Sequence, residues 1–208
     1  MTILPLTYLG NTEYFRRLMA DDCVIDLYEH YVKQTGRNRC EIMTSGGAAL
    51  LTVNVVKGSS MLKRPVCDMR IDYSKRWQHQ HWMSIVSAYA NSPYFDHYGG
   101  LFEPFYRTRY TFLADFNMGL LETVTSALGM CDRLRFSTSY IEAAADDCDM
   151  RGAFDTWAPH GRECTPLGPY APARPYEQVF ADRLPFEPYL SIIDMLFCEG
   201  PSAVGLLV

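Results

Sequence analysis

Two short apolar runs with one helical repeat between them occupy the first 28 residues, and that order narrows the fold more than any other feature. Ile3–Leu9 is almost wholly apolar and of strand length. Gly10-Asn11 then turns the chain, and Tyr14, Phe15, Leu18 and Met19 recur at helical spacing. Cys23–Tyr28 is again apolar enough for a buried strand. A strand–helix–strand opening is the start of an α/β fold.

The next segment predicts a hairpin. Cys40–Met43 and Ala48–Val56 flank Ser45-Gly46-Gly47, and Gly-Gly suits a tight turn because both residues tolerate positive φ. Val66–Asp72 alternates, with Cys67, Met69 and Ile71 on one face and Asp68, Arg70 and Asp72 on the other, which predicts a half-buried strand. From Ser74 the period becomes helical: Trp77, His81, Ile85 and Ala88 share a stripe, with Trp82 and Tyr89 beside it. A second long helical stretch is expected over Leu101–Leu128, capped by Gly129 and with Pro104 near its first turn.

Leu134–Tyr140 predicts a short strand. Residues 142–175 follow, a long loop with five prolines and three glycines, of the kind that serves as a lid or binding loop. "LSIIDMLFCEGP" then reads as a helix with Ser191 as its N-cap and Gly200-Pro201 as its stop. The expected architecture is one α/β domain over residues 1–208. Its mixed sheet, which includes the hairpin, is packed by two long helices and a capped C-terminal helix.

At 208 residues and 48% hydrophobic, the chain can bury a core of its own. A net charge of -5 argues against a protein built to coat nucleic acid. No apolar run approaches the ~20 residues of a membrane span. The start lacks a signal-peptide pattern. Seven scattered cysteines without a C-x-x-C pair read as reduced thiols, so a cytoplasmic protein is expected, with no metal site. No phosphate loop, dinucleotide fingerprint or nucleophile elbow is present, and no cofactor is implied by motif.

The cationic segment Lys33–Arg39 is the foremost candidate for chemistry. Arg37 and Arg39 could fork a phosphate or carboxylate, Lys33 and Gln34 flank them, and Asn38 adds a neutral donor. The plainer reading pairs these cations with Glu29, Glu41 or other acids at a solvated turn. His81 could act as a general base only if a cleft opens beside it; its place on the apolar stripe fits a satisfied core histidine. Tyr94 and Tyr176 could stack a sugar ring, and Gln178 in "YEQVF" is a polar group among apolar ones that needs a partner. Ser191 and Asp194 have the spacing of a helix cap.

The segments "LPLTYLGNTEYF", "EHYVKQTGRNRCEI", "LLTVNV", "RIDYSKRWQHQHWMSIVSAYANSPYFDHY", "FLADFN", "YEQVF" and "LSIIDMLFCEGP" resemble, in order, the WbqC-like protein family of bacteria. Asn54 stands where the family usually has proline, and the region after Tyr140 lacks a glycine-rich segment of longer members. The resemblance implies a role beside O-antigen and other surface polysaccharides, on an amino sugar or nucleotide sugar, with transfer of a glycyl or related acyl group. It also favours the anion-gripping reading of Arg37 and Arg39.

An enzyme of this kind would hold the pyrophosphate with Lys33, Arg37 and Arg39, and pack the sugar on Tyr94 and Tyr176. His81 or Glu29 would be the base, and Asn38 the oxyanion donor. Its partners would be a small-molecule nucleotide sugar and an acyl donor that arrives already activated. The alternative is a non-catalytic protein of the same pathway that binds a sugar or a partner. A nucleotidyltransferase is disfavoured, because the first turn lacks the paired histidines of that class.

Overall fold

The structure is a computed structural model that describes residues 1–58, 64–154 and 174–207. Its centre is a three-stranded parallel sheet in the order β2-β1-β5, formed by β1 (Thr2–Pro5), β2 (Cys23–Asp26) and β5 (Cys148–Asp149). β1 pairs with β2 from Thr2↔Cys23 to Pro5↔Asp26, and with β5 at Thr2↔Cys148 and Ile3↔Asp149. All four β1 residues are buried, which is why the first apolar run shows no polar alternation. The crossover from β1 to β2 is helix α1 (Thr12–Ala20), started by Asn11, whose side chain accepts the Tyr14 N–H at 3.0 Å.

The α/β class is the one read from the sequence, but the strands form two sheets. β3 (Arg39–Thr44) and β4 (Gly47–Thr52) make a separate antiparallel hairpin. The parallel sheet has little edge to offer it. β5 fills one side of β1, and Phe136 bridges the outer edge of β2, with Ile25 N–H donating to the Arg135 carbonyl at 2.8 Å. That single bridge is all the expected strand at Leu134–Tyr140 contributes. The hairpin closes on Ser45-Gly46 rather than on Gly46-Gly47, and the positive φ of +105° falls on Gly47, one position beyond that turn centre.

Two further expectations are corrected. Val66–Asp68 is a 3-10 turn rather than the first half of a strand, because its amides bond elsewhere: Val66 to the Glu29 carbonyl and Cys67 to the Leu27 carbonyl. The alternation of burial survives only around Met69 and Ile71, which are buried on either side of exposed Arg70. The long stretch Leu101–Leu128 is two helices. After α2 (Trp77–Tyr89) come α3 (Phe95–Arg107) and α4 (Leu113–Ala127). Pro104 lies in the last turns of α3, where it withdraws the donor for the Gly100 carbonyl. The connection is then pinned by Tyr73, whose hydroxyl takes the Tyr110 N–H at 2.8 Å and donates to the Tyr110 carbonyl at 3.1 Å.

The loop expected over 142–175 supplies β5 and two core residues, Met150 and Phe154; residues 155–173 lie outside the described ones. Helix α5 (Ile192–Glu199) is capped by Ser191, as expected, and Ile192–Cys198 are all buried. It packs against α1, α3 and β3 at the heart of the molecule. No helix of the described residues is long and apolar enough to cross a membrane.

Candidate functional site

The β2–β3 loop crosses the carboxyl ends of the parallel strands. The Tyr8 N–H donates to the Gly36 carbonyl at 2.8 Å, and the Gly36 N–H to the Phe154 carbonyl at 3.0 Å. Gly36 suits this close approach, since a Cβ there would stand 3.1 Å from the Phe154 oxygen and press on that backbone. β1 is flanked on both sides, and in open α/β sheets ligands bind outside the carboxyl ends at such a point.

The two arginines of this loop have opposite fates. Arg37 is buried and saturated. Its Nε donates to Glu29 Oε1 at 2.9 Å and its Nη2 to Oε2 at 2.5 Å, while Thr35 Oγ1 and the Arg151 carbonyl accept at 3.2 and 3.1 Å. Glu29, a candidate base, is the carboxylate of this pair, and both side chains are at most 5% exposed. Arg39 is half-buried, and its Nε is buried with no hydrogen-bond partner among the described residues. Both guanidinium charges act on the Tyr31 hydroxyl. Burial pushes that hydroxyl up to about 12, and Arg39, then Arg37, pull it back. Lys33 and Gln34 are exposed, and Gln34 takes a positive φ of 64°.

Asn38 is buried and donates to the Val53 carbonyl at 2.9 Å, leaving its Oδ1 without a partner among the described residues. Asn117 on α4 donates to the Arg37 carbonyl at 2.8 Å, and its Oδ1 is likewise orphaned. Three unmatched polar atoms therefore gather around residues 37–39. A buried polar atom left unmatched costs about 1–3 kcal/mol, so such atoms are uncommon unless a ligand or water meets them.

Next to this loop lies an ion-pair cluster that the sequence reading missed. Arg151 donates to Asp26 at 2.7 Å and to Asp149 at 2.6 Å, and its guanidinium stands 5.0 Å over the Tyr140 ring. Hydrogen bonds from Arg151 hold the Asp149 carboxyl below the usual range. The signal available was Asp26, an acid closing an apolar strand. Its partner lies 125 residues away.

His81 sits in the core on α2. Its Nδ1 is 3.0 Å from the Tyr8 hydroxyl, which is 2.9 Å from the Tyr106 hydroxyl. Burial pushes the imidazole down to about 4, partly offset by a hydrogen bond to the Thr52 backbone. At neutral pH it is an uncharged, satisfied core histidine. The three candidate catalytic side chains thus each have separate partners: Glu29 with Arg37, Asn38 with Val53, His81 with Tyr8.

Tyr94 and Tyr176 both lean on α5, at different ends. Gly200, the α5 C-cap at φ +55°, leaves room for the Tyr94 ring, which a Cβ would meet at 2.5 Å. The Tyr176 hydroxyl donates at 2.7 Å to Asp194 Oδ2 in the first turn. Six residues of helix, roughly 9 Å, separate these anchors. Asp194 has no capping role; it is fully buried and also accepts the Tyr89 hydroxyl at 2.7 Å. Burial raises its carboxyl, with the Tyr176 and Tyr89 hydroxyls opposing. Gln178 finds its partners in Glu187, donating to the carbonyl at 2.8 Å and accepting the N–H at 2.9 Å.

Among the described residues no group of His, Cys, Asp or Glu side chains could hold a metal ion. The model of the WbqC-like protein family matches residues 7–155. That range holds the Lys33–Arg39 loop, Glu29, His81 and Arg151, whereas Tyr176, Gln178, Ser191 and Asp194 lie beyond it. No curated protein and no solved structure matches the chain.

Proposed function

The chain belongs to the WbqC-like protein family, and we propose that it serves the assembly of bacterial surface polysaccharide by binding a nucleotide-activated amino sugar. The anionic group of that sugar is taken by Arg39. One observation carries this reading: Arg39 keeps a buried, unmatched Nε beside Tyr31, while Arg37 in the same loop is already saturated by Glu29. A phosphate oxygen would supply the missing acceptor, and charge-assisted bonds of that kind are roughly twice as strong as neutral ones. Lys33 and Gln34, exposed on the same loop, extend its reach toward the anion. Arg37 is then a positioning residue, fixing the backbone from which Arg39 projects.

The reaction that fits such a substrate is acyl or glycyl transfer. The sugar amine attacks the carbonyl of a thioester donor, a C–N bond forms, the C–S bond breaks, the thiol leaves and a base takes the amine proton. One observation favours a second reading, recognition without turnover: Glu29 is held by Arg37, and His81 is enclosed by Tyr8 and the Thr52 backbone.

Calorimetry with uridine diphosphate N-acetylglucosamine, uridine diphosphate and free glucosamine tests the binding. Both diphosphates should bind, the free sugar weakly or not at all, and Arg39→Ala should abolish diphosphate binding. Equal binding by Arg39→Ala and the parent protein would overturn the proposal. Mass spectrometry after incubating a uridine diphosphate amino sugar with acyl-coenzyme A separates the two readings, because only the enzyme yields an acylated product.

A further inference from the structure

Beyond β3, at the opposite end from Arg39, a solvent-open pocket of about 220 Å³ lies between Met43 and the 176–186 segment. Three rings line it: Tyr176, Phe180 and Phe186. Tyr176 and Phe186 stand at 86° to each other with centroids 5.4 Å apart, so they form a corner rather than a flat wall. Phe180 already holds one cation of the chain itself, the exposed Arg183 guanidinium, 5.4 Å over its ring. Such rings attract cations because the face of the π-system is negative.

Behind the Tyr176 wall sits a buried carboxylate with no cation of its own. Asp194 accepts the Tyr176 hydroxyl at one oxygen and the Tyr89 hydroxyl at the other, each at 2.7 Å. Both phenol oxygens receive an N–H in turn, Tyr89 from the Met43 backbone at 3.0 Å and Tyr176 from the Gln178 amide at 3.3 Å, which directs their protons onto Asp194. A carboxylate that accepts at both oxygens needs no proton of its own. Burial nevertheless raises its carboxyl, and only the two hydroxyls and Gln178 oppose that rise. The pocket is thus backed by a negative charge one hydroxyl away, across an interior that screens it little. Its surroundings have the same sign: residues 174–199 carry five acidic side chains against two arginines, which disfavours an anion at the mouth.

We infer that this pocket binds a small organic cation, a methylated ammonium group held between the three rings and drawn by the carboxylate of Asp194. An ammonium there would supply the charge that Asp194 lacks. The site goes beyond the Arg39 reading and has the opposite charge preference. Met43 lies four residues from Arg39 along β3, or roughly 13 Å, so the two fill separately.

The probes are choline and its uncharged carbon isostere, 3,3-dimethyl-1-butanol, titrated into protein labelled with ¹³C at the methionine methyls. Choline should give a saturable shift centred on the Met43 methyl, and the isostere should bind at least tenfold more weakly. Phe186→Leu keeps an apolar wall but removes a ring, and should weaken choline at least tenfold while leaving the isostere unchanged. Asp194→Asn, nearly the same in shape, should erase the preference for the cation; the other methionine signals report whether each variant is folded. Arg39→Ala should leave the Met43 shift unchanged. Absence of a saturable choline shift in the parent protein would overturn the inference, as would equal binding of choline and its isostere, or undiminished choline binding in folded Phe186→Leu.

Discussion

Replacing Arg37 with Ala should destabilise the protein far more than the same change at Arg39, although the two residues are neighbours in one cationic run. Removing Arg37 deletes two bonds to Glu29, a carboxylate at 5% exposure. It also strips the Thr35 hydroxyl and the Arg151 carbonyl of a donor. Breaking a buried pair from one side costs about 3–5 kcal/mol, because the surviving charge stays desolvated. In a chain of this size each kcal/mol moves the melting point by about 2–4 °C, which gives a fall of roughly 6–20 °C. Arg39→Ala instead removes a group whose Nε is buried and unmatched, so the loss should stay under about 1 kcal/mol. Urea unfolding, with midpoints compared at equal slope, reads both. The double variant Glu29→Leu with Arg37→Met should recover much of the loss, because neither charge is left behind. A cost under about 1 kcal/mol for Arg37→Ala, or a larger cost at Arg39, would refute the assignment of structural and ligand-facing arginines.

Two further outcomes concern pH and a third concerns thiols. The His81 imidazole falls from 6.5 to about 4 on folding. Its neutral burial therefore favours the fold above pH 6.5, and that advantage of roughly 3 kcal/mol drains away as pH falls toward 4. His81→Gln should flatten this acid limb of the urea midpoint, and a ring signal titrating near 6.5 in the folded protein would contradict it. Asp194 acts in the opposite sense: its folded carboxyl is raised by burial, so stability is full below its ordinary value of 3.8 and declines as pH rises through the raised one. The slope difference between the parent protein and Asp194→Asn measures it, and parallel profiles would sink the claim. Mass spectrometry of freshly purified protein should find no intrachain disulfide; the six cysteines of the described residues are all free.

The parts of the fold that could be read in advance are those where local pattern and tertiary role agree. β1 is buried throughout and β2 at every residue but half-buried Val24, so their apolar runs needed no further context. Asn11 and Ser191 cap the helices that follow them because a side-chain oxygen can satisfy an N-terminal amide whatever lies beyond. Where distant groups decide, the pattern misled. The amides of Val66 and Cys67 found carbonyls near Glu29, and an alternation that reads as a strand became a turn. Arg109–Phe112 continues a helical period, but Tyr73 holds Tyr110 in an extended link between α3 and α4.

The candidate site shows the same division at the scale of single side chains. Residues 37 and 39 carry the same group and differ in sequence only by Asn38 between them. Nothing local says which will be neutralised. The choice is made by Glu29, which ends a turn after β2, and by the Arg151 carbonyl, which arrives after β5. Both converge on Arg37 because its loop is drawn under Tyr8 and Phe154 by the backbone bonds of Gly36. Asn117 then fixes the Arg37 carbonyl from α4, so the strand that starts at Arg39 leaves a clamped point. One arginine is consumed in building that point. The next is carried out of it with an unmatched nitrogen, and on that asymmetry rests the proposal that an anion is recognised through Arg39.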